Sequence, residues 1–111
     1  MDNFSQVKLE IFVPQGHVSQ VREALAQIGA GVIGNYDHCM ATTQVTGSFR
    51  PLEGANPFEG KIGKLSTVTE YKIEVNCQRE LVKQAIQAVK NVHPYEEPLI
   101  NIIPLANHLF E

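Results

Sequence analysis

Apolar and polar residues alternate one by one in the first patterned segment, VKLEIFVP at positions 7–14. An alternation of period two predicts a strand with one buried face, ended here by Pro14, because proline cannot donate to a strand ladder. The face expected to be buried carries four aliphatic residues: Val7, Leu9, Ile11 and Val13. Phe12 falls on the opposite face, next to charged residues.

Two later segments have apolar residues three or four positions apart, a spacing that predicts helices. In the first, which follows Pro14, the apolar stripe consists of Val18, Val21, Leu25 and Ile28. In the second, at 78–92, it consists of Val82, Ala85, Ile86 and Val89. Gly29 or Gly31 is expected to end the first helix, and the motif HPYEEP is expected to end the second.

The remaining strand signals come from segments rich in β-branched, aromatic or alternating apolar residues. A long strand is predicted at 36–46, turning at 47–48 into a short partner around Phe49. A second strand is predicted at 65–77, with an irregularity near Glu70. The final strand is predicted at 98–105.

The predicted order is therefore β-α-β-β-α-β with a short extra hairpin and loop in the middle, and residues 1–111 form one domain. The expected fold class is α+β: a ferredoxin-like sandwich in which an antiparallel four-stranded sheet carries both helices on one face. The other face is left open, and Phe12 and Tyr36 are expected on it. An open, partly apolar face favours a partner, most simply a second copy of the chain.

Composition narrows the functional classes. The chain has 111 residues, 43% of them hydrophobic, and a net charge of −3, which indicates a globular domain. Basic residues are scattered, so no nucleic-acid partner is expected, and no apolar run approaches the roughly 20 residues that span a membrane. No signal peptide is visible, and Cys39 and Cys77 lie far apart in sequence. A cytoplasmic protein with two buried thiols is the expectation.

Three motifs occur in one order along the chain: GAGVIGNYDHC, GSFRPLEGANPFEG and HPYEEP. Together they resemble the inserted domain of the YqfO-type proteins, the dinuclear-metal-centre family also called GTP cyclohydrolase type 2 homologues or Nif-three-like proteins. The resemblance runs from Lys8 to about Leu105. It implies a ferredoxin-like domain, similar to the CutA and PII trimers, which in that family interrupts a larger metal-binding domain.

The resemblance implies self-association, but it does not carry over the hydrolase activity. The metal ligands of the family lie in the surrounding domain, and this sequence does not contain them. In PII-like trimers a long loop contributes to ligand clefts between subunits, and the glycine-rich segment 52–63 would be its counterpart. Backbone amides near Asn56 and the charge of Lys61 are then candidates for binding an anion.

The motif NVHPYEEP at 91–98 has a structural interpretation. Pro94 would stop the second helix and force His93 into an extended conformation, where the imidazole meets the negative end of the helix dipole. Pro98 would protect the start of an edge strand. Only the pair of adjacent glutamates is left unexplained by this interpretation.

The same motif also has a functional interpretation. His93 and Glu96 would bind a divalent transition metal, Zn²⁺ or Cu²⁺, together with His38 near the start of the long strand. Strand starts and helix ends can meet at one edge of a sheet, which would bring these residues together. Adjacent strand residues point to opposite faces, so Cys39 is expected to be buried rather than to share the ion.

These patterns predict a non-enzymatic domain that forms a homo-oligomer, a trimer or a dimer, and binds a metal ion or small effector between subunits. No catalytic residue is predicted. Two alternatives stay open. One is an interaction module that recognises a partner through the open sheet face around Phe12 and Tyr36. The other is an enzyme whose active site forms at the subunit interface from His38, His93 and Glu96.

Overall fold

The structure, a computed structural model, describes residues 3–111. Four strands and two helices follow one another along the chain: β1 (Gln6–Pro14), α1 (Val18–Gln27), β2 (Met40–Phe49), β3 (Ser66–Gln78), α2 (Val82–Val92) and β4 (Ile100–Pro104). A single 3₁₀ turn precedes each helix, at Gln15–His17 and at Arg79–Leu81, and a third lies at Asn107–Leu109. No helix within residues 3–111 is long and apolar enough to cross a membrane.

The four strands form one sheet in the order β2-β3-β1-β4, and every neighbouring pair is antiparallel. β1 and β2 are parallel to each other with β3 between them, which is the split βαβ arrangement of the ferredoxin-like sandwich. The predicted fold class is therefore confirmed. β2 and β4 are the two edge strands.

The core lies between the sheet and the two helices. The two central strands, β1 and β3, contribute every second residue, and each helix contributes one stripe. The largest fully buried side chains are Val7, Leu9, Ile11, Val13, Val21, Leu25, Ile73 and Val89. These residues include all four positions expected from the alternation of β1, because a strand with one packed face has to place its apolar residues at period two.

The middle of the chain differs from the prediction. β2 begins at Met40 and continues without a turn through Gly47 and Ser48, which pair with Val68 and Thr67 of β3. The predicted turn and short partner strand are therefore wrong. A glycine is placed here because the Glu70 side chain of β3 occupies the space where a Cβ at position 47 would lie. The connection to β3 is the long loop 50–65.

β3 is regular throughout, so the predicted irregularity near Glu70 is also wrong. Every residue of β2 has a partner on β3 without an insertion. The apolar alternation breaks because Val68 and Glu70 share the face away from the helices, whereas Tyr71, one position later, packs against the core. A break in the hydrophobic pattern here reflects the composition of the two faces and not a change in backbone geometry.

Tyr36 does not lie on the sheet. After α1 the chain makes a tight turn in which Ile33 and Tyr36 exchange two backbone hydrogen bonds, and the Tyr36 side chain is 75% exposed. Gly31 permits this excursion: its φ is 79°, and a Cβ there would lie 3.0 Å from the Cys39 carbonyl oxygen. Residues 36–39 therefore lead into β2 rather than belonging to it.

Candidate functional site

The sheet face opposite the helices, here called the open face, has two chemically distinct halves. The half near Gln6, the start of β1, is charged and internally paired. Lys8 forms an ion pair with Glu74, and Lys72 Nζ lies 3.9 Å from Glu74 Oε1. Glu10 accepts a hydrogen bond from the side-chain amide of Asn101. The half near Pro14, the end of β1, is here called the apolar half because Phe12, Val45, Phe49 and Val68 lie on it, with Glu70 among them.

The apolar half contains a groove of about 620 Å³. Its floor is formed by Phe12 of β1 and by alternate residues of β2, and Glu70 of β3 lies among them. One wall is the long loop, and the other is the segment that follows α2. The lining residues are Phe12, 45–52, 55, 57–59, Glu70, 95–97 and Leu99.

The long loop 50–65 is held by its own backbone. The Gly63 amide donates to the Pro51 carbonyl at 2.7 Å and closes the base of the loop, and the Ala55 amide donates to the Leu52 carbonyl at 3.0 Å. Pro51 is buried, whereas Leu52 and Phe58 remain more than half exposed. The loop therefore has a defined conformation but presents apolar side chains outward beside the groove.

His93 pairs with the edge of β1 just beyond Ile11, the residue that faces the first residue of β4. The last backbone hydrogen bond between the two regions joins the Phe12 amide to the Leu99 carbonyl, at 3.3 Å. The Phe12 carbonyl, which points to the same edge, accepts a hydrogen bond from His93 Nε2 at 2.7 Å. A histidine side chain thus replaces a missing strand residue and satisfies a backbone acceptor that would otherwise be unpaired.

The second ring nitrogen of His93 is also engaged, because Nδ1 accepts a hydrogen bond from the Tyr95 amide at 3.1 Å. These two partners require the neutral tautomer with the proton on Nε2. The side chain is 8% exposed, and burial is the main cause that lowers its pKa. His93 is extended at φ −79° and ψ 132°, as the proline that follows it predicts.

The segment after α2 also fastens the long loop. Glu96 Oε1 accepts a hydrogen bond from the Asn56 amide at 3.1 Å. The ring of Phe58 lies 6.1 Å from that of Tyr95 and 5.9 Å from that of His17, between centroids, with the histidine edge-on. The amide at Asn56, a candidate for binding an anion in the sequence, therefore serves a carboxylate of the same chain.

Tyr95 contributes its ring to the groove and has a buried hydroxyl beside Glu70. The hydroxyl oxygen is inaccessible to solvent, and its contact with Glu70 falls outside standard hydrogen-bond geometry. Burial is the main cause that raises the pKa of Tyr95 far above its usual range, followed by the hydrogen-bonding contact with Glu70 and then by the charges of Glu70 and Glu59. The pair therefore places a carboxylate next to an aromatic ring in the groove lining.

His38 lies in a different environment. Its Nδ1 is 2.9 Å from Asp37 Oδ1 and its Nε2 is 3.0 Å from Glu23 Oε2 of α1, and all three side chains are largely exposed. The hydrogen bond that His38 donates to Asp37, and then the one it donates to Glu23, raise the pKa of His38. Cys39 beside it is only half-buried, whereas Cys77 is buried; both thiols are free.

The structure brings His93 and Glu96 to one end of the sheet and places His38 at the other. α1 runs antiparallel to β1 and ends near the start of that strand, whereas α2 runs antiparallel to β3 and ends near Phe12. Met40 is level with Leu9 of β1, about 10 Å along the strands from Phe12. The exits of the two helices therefore lie at opposite ends of the sheet.

A metal ion does not fit these residues within one chain. Among residues 3–111 no group of three or more histidine, cysteine, aspartate or glutamate side chains is arranged to hold a metal ion. Both nitrogens of His93 are also occupied by backbone partners. A site that uses His38, His93 and Glu96 would require residues from two subunits, and it stays a prediction.

Of the four aromatic residues of the groove, the sequence singled out Phe12 but not the other three. Phe49 and Phe58 lie in segments assigned to a turn and a loop, and Tyr95 lies inside the motif whose histidine and glutamate drew attention. One signal for the groove was available in the sequence, because Glu70 lies on the same face of the sheet as Phe12. The alternation of β1 and β3 predicts this once the pairing of the two strands is known.

Curated proteins match most of the chain. It is 48% identical over 103 residues to the GTP cyclohydrolase 1 type 2 homolog of Halalkalibacterium halodurans, and 43% identical over 98 residues to that of Bacillus subtilis. These alignments cover 93% and 88% of the chain but only 28% and 26% of the relatives, so the chain spans about a quarter of their length. No family model matches.

Solved structures match the fold over nearly the whole chain. A Bacillus cereus protein related to NIF3 superposes with a TM-score of 0.82 at 39% identity, covering 94% of this chain and 26% of that one. The periplasmic divalent cation tolerance protein CutA from Archaeoglobus fulgidus gives 0.68 at 19% identity, covering 91% and 84%. Arabidopsis thaliana PII bound to citrate gives 0.62 at 20% identity, covering 95% and 81%.

Proposed function

We propose a function on the premise that the chain is homologous to about a quarter of the NIF3/YqfO-type proteins and has the CutA/PII-like fold. The resemblance predicted from the three motifs is confirmed for the region that these relatives match. The chain is a non-enzymatic cytoplasmic domain that self-associates through the open face of its sheet. The groove at the Pro14 end of that face receives a small effector.

The observation that carries this proposal is the asymmetry of the sheet. One face is covered by two helices over a continuous core, and the other has no covering element in residues 3–111. The uncovered face nevertheless carries Phe12, Val45, Phe49 and Val68, none of which is fully buried in the single chain. Apolar residues of this kind are stabilised when a second subunit removes them from water.

Two structural neighbours support a ligand-binding role for this chain. One is a divalent cation tolerance protein, and another is bound to citrate. For this chain a metal ion is the second candidate ligand, with His38, His93 and Glu96 as its ligands. Because His38 lies at one end of the sheet and His93 with Glu96 at the other, these residues meet only across two subunits. A cyclic assembly with a head-to-tail interface brings different surfaces together in this way, whereas a two-fold dimer joins like surfaces.

Native mass spectrometry tests self-association directly. We expect the wild type to be a dimer or trimer and Phe12→Glu to be a monomer, because a carboxylate on the open face cannot be buried without a partner. Phe110→Glu is the matched control: the same substitution at a residue that is 86% exposed in the C-terminal tail, outside the sheet. Circular dichroism checks that each variant is folded.

Val68→Glu, on the same face of β3, guards against a folding effect specific to Phe12. A wild type that is monomeric, or folded Phe12→Glu and Val68→Glu variants that both keep the wild-type mass, would overturn the proposal. The same spectra with added Zn²⁺ test the metal ion. Zinc that is retained by the wild type and lost in His38→Ala and in His93→Ala supports an intersubunit site, and no retained zinc rejects it while leaving self-association intact.

A further inference from the structure

We propose that the groove binds a small organic cation, a molecule with an apolar body and one protonated amine or guanidinium group. This inference rests on the proposed function, because it names the class of effector that the groove of the self-associating domain receives. It is drawn from three features of the groove: its aromatic lining, its excess of carboxylates and the position of the Glu70 carboxylate over Gly47.

The first feature is the lining. A volume of about 620 Å³ lies within the range of roughly 300–1,000 Å³ that is typical of small-molecule sites. Four aromatic rings contribute to it, from four separate parts of the chain: Phe12, Phe49, Phe58 and Tyr95. Aromatic faces carry negative electrostatic potential and attract cations as well as apolar groups, so the lining favours a molecule that has both.

The second feature is the charge of the groove. Four carboxylates line it, from Glu59, Glu70, Glu96 and Glu97, against one cationic side chain, Arg50. Glu96 is partly satisfied by the Asn56 amide. Glu70 forms no ion pair in the described structure, although the charged residues of the other half of the open face are paired with one another. The uncompensated negative charge opposes an anionic effector and favours a cationic one.

The third feature fixes where the charge of the ligand would lie. Gly47 leaves room for the Glu70 carboxylate to extend over β2, since a Cβ at that position would overlap it. The buried Tyr95 hydroxyl lies beside the same carboxylate, which acts on it as a hydrogen-bonding neighbour and as a charge. An ammonium group has three donors and no acceptor, so it can donate to the Glu70 carboxylate while the apolar body of the ligand lies against the aromatic lining.

The test compares three probes of nearly equal shape that differ only in charge: 4-phenylbutylamine, 4-phenylbutanol and 4-phenylbutyrate. Binding is measured by isothermal titration calorimetry and located by amide chemical-shift changes in ¹H–¹⁵N spectra of the full chain. We expect the amine to bind roughly tenfold more tightly than the alcohol, and the carboxylate not to bind. The shifted amides should include those of Gly47 and Tyr95.

Variants then assign the selectivity to Glu70. Glu70→Gln removes the charge and should bring the affinity of the amine to that of the alcohol, while the affinity of the alcohol stays unchanged. Gly47→Ala should weaken the amine in the same way, because the new methyl group displaces the carboxylate. Glu80→Gln is the matched control: the same substitution at an exposed position between β3 and α2, outside the groove, and it should leave all three affinities unchanged.

Equal affinity for amine and alcohol in the wild type, tighter binding of the carboxylate, or no binding of any probe would overturn the assignment. So would an unchanged amine affinity in Glu70→Gln. Native mass spectrometry of the same samples keeps the two proposals apart. A monomeric wild type that still selects the amine contradicts self-association alone, whereas an intact oligomer that binds no probe contradicts the organic cation alone.

Discussion

The two helices end in opposite ways, and the two ends have different consequences. α1 ends at Gln27, and the chain passes through Gly29, with φ 95°, then Gly31 and a tight turn before β2. α2 ends at His93, and Pro94 sends the chain past the edge of β1 toward the long loop. The first exit depends on backbone conformations that glycine permits, and the second depends on side-chain contacts of a histidine and aromatic rings.

The two exits border cavities of different size: about 310 Å³ at the first, lined by Gly31, Ile33 and Cys39, and about 620 Å³ at the second. Glycines reverse the chain within a few residues through hydrogen bonds of their own backbone, such as that from the Cys39 amide to the Gly31 carbonyl at 2.8 Å. The segment after α2 instead contacts β1, β3 and the loop 50–65 through its side chains. Long-range contacts of this kind enclose a larger concave surface between elements than the local turn does.

The largest effect is expected from His93→Ala. The change leaves the Phe12 carbonyl and the Tyr95 amide without partners at a site that is 8% exposed. Each unsatisfied buried group is costly, so the free energy of unfolding should fall by about 2–4 kcal/mol. Urea denaturation followed by circular dichroism measures this change.

His38→Ala is the control at the other exit. It removes an imidazole that is paired with Asp37 and Glu23 but largely exposed, so the denaturation midpoint should move far less than in His93→Ala. Equal losses of stability in the two variants would contradict the structural role assigned to His93.

The next largest effect is expected at the glycine exit, from Gly31→Ala. The new Cβ would lie 3.0 Å from the Cys39 carbonyl oxygen and 3.2 Å from the Val75 side chain, at a φ of 79°. We expect a loss of about 2–3 kcal/mol in the free energy of unfolding. Gly34→Ala is the matched comparison: φ is 57° but nothing lies within 4 Å of the new atom, so only the backbone cost of about 1 kcal/mol remains. A larger loss in Gly34→Ala would show that close contact at Gly31 is not the cause.

The two histidines should give stability opposite dependences on pH. Burial lowers the pKa of His93 in the folded state, so its contribution is complete above the unfolded value of about 6.5 and is lost as the pH falls through the folded value. The hydrogen bonds to Asp37 and Glu23 raise the pKa of His38. Its contribution is therefore complete below about 6.5 and is lost as the pH rises through the folded value.

Urea midpoints measured from about pH 5 to about pH 8 check these directions. His93→Gln should remove part of the loss of stability on the acid side, and His38→Gln should remove a smaller loss on the alkaline side. A His93→Gln variant that retains the full acid sensitivity of the wild type would assign that sensitivity to other groups.

The smallest effect is expected from Tyr95→Phe. The variant removes a buried hydroxyl that has no hydrogen bond of standard geometry and keeps the ring against Phe58 and His93. The free energy of unfolding should stay the same or rise by up to about 1 kcal/mol. Thermal unfolding of the two proteins side by side measures the difference. A loss of more than about 1 kcal/mol would show that the hydroxyl has a stabilising partner in the chain.

The sequence by itself determined the sandwich and the buried face of each element. The alternation in β1 and the stripes of α1 and α2 depend on local geometry, because side chains repeat at period two in a strand and at 3.6 in a helix. The ends of both helices were also predictable, from Gly29 and from Pro94. The error at Gly47 arose because a glycine inside a strand looks like a turn when the side chain that occupies its space, Glu70, comes from another strand.

Only the tertiary structure decided the groove. His93, Tyr95 and Glu96 are close in sequence to one another but contact Phe12, Phe58 and Asn56, which lie far away along the chain. The separation of His38 from His93 was likewise a matter of topology, since it follows from the opposite directions of the two helices. Periodicity shows which face of an element is buried, but it carries no information about which elements meet, because strand order and chain direction are set by packing of the whole domain.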